Sequence, residues 1–180
     1  IVNTFVMNFK QSVVPQIMSS FGKGDLTRMN KLVNMGTKVT YILMLMITIP
    51  IIAEGEYILP LWLKTPPEYT YELICLVLIN INISSFTYFL YQGVHATGNI
   101  TKQQVFMSLL YLFNILGIFI MFKLGASFYY ALYISILVSL LQCVVNVYFA
   151  YETFSYDVRE FILSICPRCI VLVALILPII

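Results

Sequence analysis

Apolar residues in this chain do not alternate with polar ones at the spacing of a half-buried strand or a surface helix. They run unbroken between widely separated charges. The segments 73–101, 103–122 and 124–151 carry no Asp, Glu, Lys or Arg over 29, 20 and 28 residues. A helix rising about 1.5 Å per residue needs about 20 apolar residues to cross a hydrocarbon core roughly 30 Å thick. Each segment therefore predicts a transmembrane helix. Two shorter charge-free runs, 39–53 and 169–180, need help. The first can continue past Glu54 and Glu56 through Tyr57 to Leu63 if those carboxylates sit at the interface, and the second can begin at Phe161 and cross Arg168. Barrel strands alternate apolar and polar residues over about 10 positions, whereas the run 115–122 is apolar on every side. The pattern predicts an all-α polytopic transmembrane helix bundle. Its expected parts are the end of a span over 1–14, a cytoplasmic amphipathic loop over 15–37, and helices over 38–63, 71–94, 103–122, 126–150 and 161–180.

Within the loop, Gly22 and Gly24 break the preceding segment and Asp25 can cap a new helix. Leu26, Met29, Val33 and Gly36 follow at helical spacing, with Lys23, Arg28, Lys31 and Asn34 off that face. Such a stripe suits a short helix on the inner membrane surface, or one packed against protein.

Composition narrows the class. The 180 residues are 61% hydrophobic and 10% charged, with a mean hydropathy of +0.92. A soluble domain carries about 25% charged residues, so a soluble monomer is excluded, and the same figures exclude disorder. A net charge of +2 is too weak a field to suggest nucleic acid. Basic residues favour cytoplasmic loops. Lys10, Lys23, Arg28, Lys31 and Lys38 flank the first connection, Lys102 lies in the third and Arg159 in the fifth, against Lys64 and Lys123 in the second and fourth. The odd connections are expected inside, and the second, with Glu54, Glu56, Glu68 and Glu72, outside. Lys10 follows the first apolar residues, so no cleavable signal is visible. The chain opens within an apolar segment and closes on Leu177-Pro178-Ile179-Ile180, from which we expect a portion of a longer polytopic protein.

Enzyme signatures are sparse. His95 is the one histidine, too few for a His-rich metal site or a His-based triad. Cys166 and Cys169 form a Cys-x-x-Cys in an apolar run, where free cysteines act as small hydrophobes. Asn82-Ile83-Ser84 and Asn99-Ile100-Thr101 match the glycosylation pattern, but one lies in a span and the other on the expected inner side.

Uncharged polar residues inside the spans are more informative. Asn80, Ser84, Thr87 and Tyr91 fall on one helical face. Ser135, Ser139, Gln142 and Asn146 repeat that spacing in a later span, and Ser108, Tyr111 and Asn114 form a shorter row. These stripes are either interhelical hydrogen bonds, routine in membrane bundles, or the wall of a hydrated cavity able to bind a sugar. Arg168 lies about 12 Å along the helix from Glu160. It either snorkels to the headgroups or faces an anion in a cavity. Pro50, Pro60, Pro167 and Pro178 sit in or beside spans, where proline permits bending.

Several short segments, taken in order, resemble a known superfamily. Pro15, Ser19, Gly22, Gly24 and Asp25, followed by a basic amphipathic stretch and a span, are similar to the loop closing the second helix of each lobe in the MATE-like multidrug and oligosaccharidyl-lipid exporters. Tyr57-Ile58-Leu59 with Leu61-Trp62-Leu63, Pro67-Glu68-Tyr69-Thr70, Gly93 with Ala96-Thr97-Gly98, and Val158-Arg159-Glu160-Phe161 look like the Wzx-type polysaccharide flippases within it. The resemblance implies most of the second lobe of a twelve- to fourteen-helix transporter in the bacterial cytoplasmic membrane. Such proteins move an undecaprenyl-pyrophosphate-linked sugar unit between leaflets by alternating access, in lipopolysaccharide and O-antigen biosynthesis, with no cofactor. It further implies a first lobe whose basic residues meet the pyrophosphate, and it makes Asn80, Ser84, Thr87, Tyr91, Ser135, Ser139, Gln142 and Asn146 candidates for one wall of the substrate pathway. Arg168 departs from the pattern. A drug or cation antiporter of the same superfamily would need membrane-embedded carboxylates, and no span has a central Asp or Glu. A membrane enzyme acting on lipid-linked sugars would need clustered catalytic groups in a larger outer loop, and a non-transporting scaffold would satisfy the stripes with each other.

Overall fold

The computed structural model describes residues 2–65, 67–161 and 163. They form α1 (Val2–Gly22), α2 (Leu26–Ala53), α3 (Gly55–Leu63), α4 (Thr70–Phe86), α5 (Tyr88–Ala96), α6 (Thr101–Lys123), α7 (Tyr129–Phe154) and the short α8 (Val158–Glu160), with no strand among the described residues. The fold is all-α. Four stretches are long and apolar enough to cross a membrane: α2, α4 with α5 taken together, α6 and α7. Most of the last expected span, including Arg168, Cys166 and Cys169, lies outside the described residues.

Local chemistry sets the boundaries. α1 runs through Pro15 to Gly22, and Gly24 turns the chain at a φ of +74° that an L side chain resists. Asp25 then caps α2 by accepting from the Arg28 N–H at 2.9 Å. The segment 15–37 is therefore not a loop carrying a short surface helix. α1 takes its first third, and its remainder fuses with the expected span into one 28-residue helix, because nothing between Thr27 and Ile49 interrupts the hydrogen-bond ladder. The amphipathic face is used for packing: Met29, Val33 and Gly36 are buried against α1, α5 and α7.

Two expected spans are interrupted. The stretch 38–63 breaks at Glu54, where the Tyr71 ring lies over Gly55 and its hydroxyl donates to the Ile52 carbonyl at 2.7 Å. An α2 carbonyl near the break thus finds a donor. The stretch 71–94 extends to Thr70–Ala96 and breaks at Thr87.

α1 packs on α2, α4 and α5 pack on α7, and α6 packs chiefly on α7. The apolar core gathers at one end of the bundle, where Ile17, Met29, Phe89, Val94, Phe149 and Phe154 meet. Exposure is inverted relative to a water-soluble fold: Phe113, Ile115, Leu137 and Val144 are 60% or more exposed, while Gln103, Ser139 and Asn146 are at most 7% exposed. Lipid as solvent accounts for that inversion. Lys10, counted above with the first basic connection, is also inside, at 3% exposure. The charge asymmetry of the connections keeps its sign without it.

Two glycines in the core permit close helix approaches. A Cβ on Gly36 would lie 2.8 Å from the fully buried Phe89 ring, and one on Gly93 would lie 2.9 Å from the Phe154 ring. We expect Gly36→Val to destabilise the folded protein by about 1–3 kcal/mol through overpacking. Thermal unfolding in detergent micelles measures this, and Phe89→Leu in the same chain should restore part of the loss. An unchanged melting temperature for the single variant would refute the close packing.

Candidate functional site: a polar ladder beside a broken span

The polar stripes of α4 and α7 meet. Ser139 Oγ donates to Asn80 Oδ1 at 2.7 Å, and Ser84 Oγ, bonded to the Asn80 carbonyl at 3.0 Å, lies 3.3 Å from Ser139 Oγ. One turn on, Asn146 Nδ2 donates to Thr87 Oγ1 at 3.0 Å, and Thr87 is 3.5 Å from Cys143 Sγ. Gln103 Nε2, from the start of α6, donates to Asn146 Oδ1 at 3.0 Å. Spacings of three and four residues place these groups on facing stripes, and each rung satisfies a polar group that lipid cannot. Ser135 lies off this ladder and bonds Asn114 of α6 at 3.3 Å. Tyr91 belongs to a separate cluster at the end of α5, where Gln104 Nε2 donates to the Tyr91 hydroxyl and lies 2.8 Å from His95 Nε2. Gln142 joins none of these, and its Nε2 is buried without a partner.

So Asn80, Ser84, Thr87, Ser139 and Asn146 are brought together, Tyr91 and Ser135 are bonded elsewhere, and Gln142 is left aside. In the row Ser108, Tyr111 and Asn114, only Asn114 reaches a facing helix, while Ser108 and Tyr111 are exposed. Gln103, Cys143 and Ser85 were not singled out by spacing. Cys143 falls four residues after Ser139, so the stripe passes through it. Gln103 lies one turn inside a charge-flanked helix start, a position that resembles an interfacial residue.

The ladder passes the break between α4 and α5. Thr87 is not helical, with φ −107° and ψ 13°, and its N–H turns back to the Ser85 carbonyl. On the other side of that break lies Lys10, whose Nζ donates to Ser85 Oγ at 3.1 Å and sits 4.5 Å from the centroid of the Tyr88 ring. An ammonium has three donors; the hydroxyl takes one and the ring face interacts with the charge. Among the described residues no carboxylate pairs with Lys10. The ion pair Lys102–Glu152, at 3.0 Å, lies at the exposed end of α6 and α7. Lys10 is 12 residues before the end of α1 and Ser85 is 11 before the end of α5, about 18 and 16 Å of helix.

Comparison with protein-family models, with curated proteins and with solved structures finds no match to this chain. No group of His, Cys, Asp and Glu able to hold a metal occurs among the described residues.

Among the described residues, Asn146 is the one side chain that bridges α6 and the α4–α5 break. Hydrogen bonds between membrane helices average about 0.6 kcal/mol, so Asn146→Ala, which removes two, should cost about 1–2 kcal/mol. Unfolding of the variant in mixed micelles measures it against Leu137→Ala, a lipid-facing control expected to unfold like the native chain.

Proposed function

We propose that this chain forms the second lobe of a flippase for lipid-linked oligosaccharides in the bacterial cytoplasmic membrane. The observation that carries the proposal is Lys10, a cation buried inside the bundle beside the break at Thr87. Ionisable side chains within a bilayer mark substrate or ion paths by default, and broken helices near the midplane build transport sites. The order of short motifs from Pro15 to Phe161 supports the flippase class. The protein makes and breaks no covalent bond. It passes a sugar pyrophosphate headgroup through a wet path while the lipid tail stays in the bilayer, and the polar ladder is the closed form of one wall, with a first lobe supplying the other.

The antiporter reading lacks its carboxylate, since Glu72 and Glu152 sit near helix ends. The scaffold reading has one observation in its favour, that the rungs bond each other. Transport separates the two. In vesicles holding the full chain, first lobe included, Lys10→Met should slow flipping of a fluorescent lipid-pyrophosphate sugar at least about tenfold, equivalent to 1.4 kcal/mol, with Lys10→Arg retaining more activity. Equal rates in all three would remove Lys10 from the path. In a background lacking native cysteines, single cysteines at Asn80, Ser84, Thr87 and Ser139 should react with a water-soluble thiol reagent during turnover, while Ile79 and Ile136 stay protected. Protection of all six would assign the ladder to the scaffold.

A further inference from the structure

A second site lies away from the ladder, where the first three turns of α2 meet the end of α7. A cleft of about 640 Å³ opens there, lined on α2 by Thr27, Asn30, Lys31 and Lys38 and on α7 by Phe154 and Ser155. Its far wall is fixed: the Tyr156 hydroxyl donates to Asn34 Oδ1, and Ser155 turns the chain with a left-handed φ of +53°. Three chemically distinct surfaces line or border the cleft. Lys31 is an exposed cation at the rim. Asn30 carries a side-chain oxygen that is buried and has no hydrogen-bond partner among the described residues, an acceptor that costs free energy until a donor reaches it. Leu26 and Met35, 39% and 62% exposed, form an apolar lip on the same helix. The surrounding segment is basic, with Lys23, Arg28 and Lys31 against Asp25.

We propose that this cleft binds an anionic phospholipid whose headgroup carries both a phosphodiester and a hydroxyl, of the phosphatidylglycerol kind. Lys31 meets the phosphate, the Asn30 side-chain oxygen accepts from the headgroup hydroxyl, and Leu26 and Met35 lie along the acyl chain. Basic pockets beside membrane helices bind such headgroups. A phosphodiester without a hydroxyl would leave the Asn30 acceptor unanswered, and an apolar ligand would leave Lys31 unanswered. The same phosphate-hydroxyl chemistry is offered by free glycerol phosphate; the apolar lip favours the lipid. The site lies apart from the proposed transport path and does not depend on it.

The test is thermal unfolding of the full chain in neutral detergent, titrated with short-chain phosphatidylglycerol, phosphatidylmethanol, phosphatidylcholine or glycerol phosphate. Phosphatidylglycerol should raise the unfolding temperature saturably, phosphatidylcholine should not, and glycerol phosphate should act only at much higher concentration. Lys31→Gln should weaken the phosphatidylglycerol response about tenfold, one missing charge-assisted contact of about 1.4 kcal/mol. Asn30→Ala should erase the preference for phosphatidylglycerol over phosphatidylmethanol, whose phosphodiester carries no hydroxyl, and Lys64→Gln, at the opposite end of the bundle, should change nothing. Equal responses to phosphatidylglycerol and phosphatidylcholine, or native responses in both cleft variants, would overturn the site. Glycerol phosphate acting as strongly as the lipid would overturn the lipid assignment.

Discussion

In a bilayer, lipid tails are as apolar as leucine, so burying hydrocarbon does not decide which face of a helix meets its neighbour. That decision falls to the groups lipid cannot satisfy, and here it falls to the hydrogen bonds between α4–α5 and α7. Asn146 joins Thr87 to Gln103, and Ser139 joins Asn80 to Ser84. Rotating α7 by one residue would swing both rungs by about 100° and leave several amides and hydroxyls facing hydrocarbon. Register and rotation of the central pair follow from that constraint, and the positions of the neighbours follow from the central pair. α6 is held to α7 by Asn114 and Gln103 and offers its remaining faces to lipid. α2 closes on α5 where Gly36 makes room for Phe89, and α7 closes on α5 where Gly93 makes room for Phe154.

The ladder and the apolar core divide the bundle along its length. The core fills the end where α1, α2, α5 and α7 converge, and close packing there resists small displacements. Toward the other end, α4 is held by the polar rungs, by Tyr71 on the Ile52 carbonyl and by Tyr69 against Phe128 and Tyr129. Water can replace hydrogen-bonded rungs in a way it cannot replace a packed Phe89. A bundle built this way opens more readily along the ladder than across the core.

The four long membrane helices and the two facing stripes were legible in the sequence, since lipid demands long charge-free runs and helical geometry fixes the three- and four-residue spacing. Which stripe met which was not, because spacing gives a face but no partner. The breaks were legible only afterwards. Neither Glu54 nor Thr87 is a helix breaker by composition, and the first break coincides with Tyr71, a residue 17 positions away, closing over Gly55. The fusion of the amphipathic segment with the next span was missed for the opposite reason. Its charges read as an interfacial loop, yet a long side chain at a helix end can carry charge to the surface, so Lys31 does not stop the ladder of backbone bonds. Lys10 was misplaced by the same habit of sending charges outward.

Lys10 is the place where stability and function pull apart. An ammonium in a low-dielectric interior loses hydration that one hydroxyl and one aromatic face replace only in part. A methionine of similar volume would fill the space beside Ser85 and Tyr88 without that cost, so packing alone gives no reason for a cation at this position. The break at Thr87 adds a second irregularity at the same depth, and the ladder adds exchangeable hydrogen bonds beside it. In the proposed transport cycle, these features together would ease the parting of α1 from α4–α5 and the entry of water to the charge. A ligand can favour a parted state only by contacts it makes there and not in the closed one, and under the proposed flippase function an anionic headgroup meeting a hydrated Lys10 would be a contact of that kind.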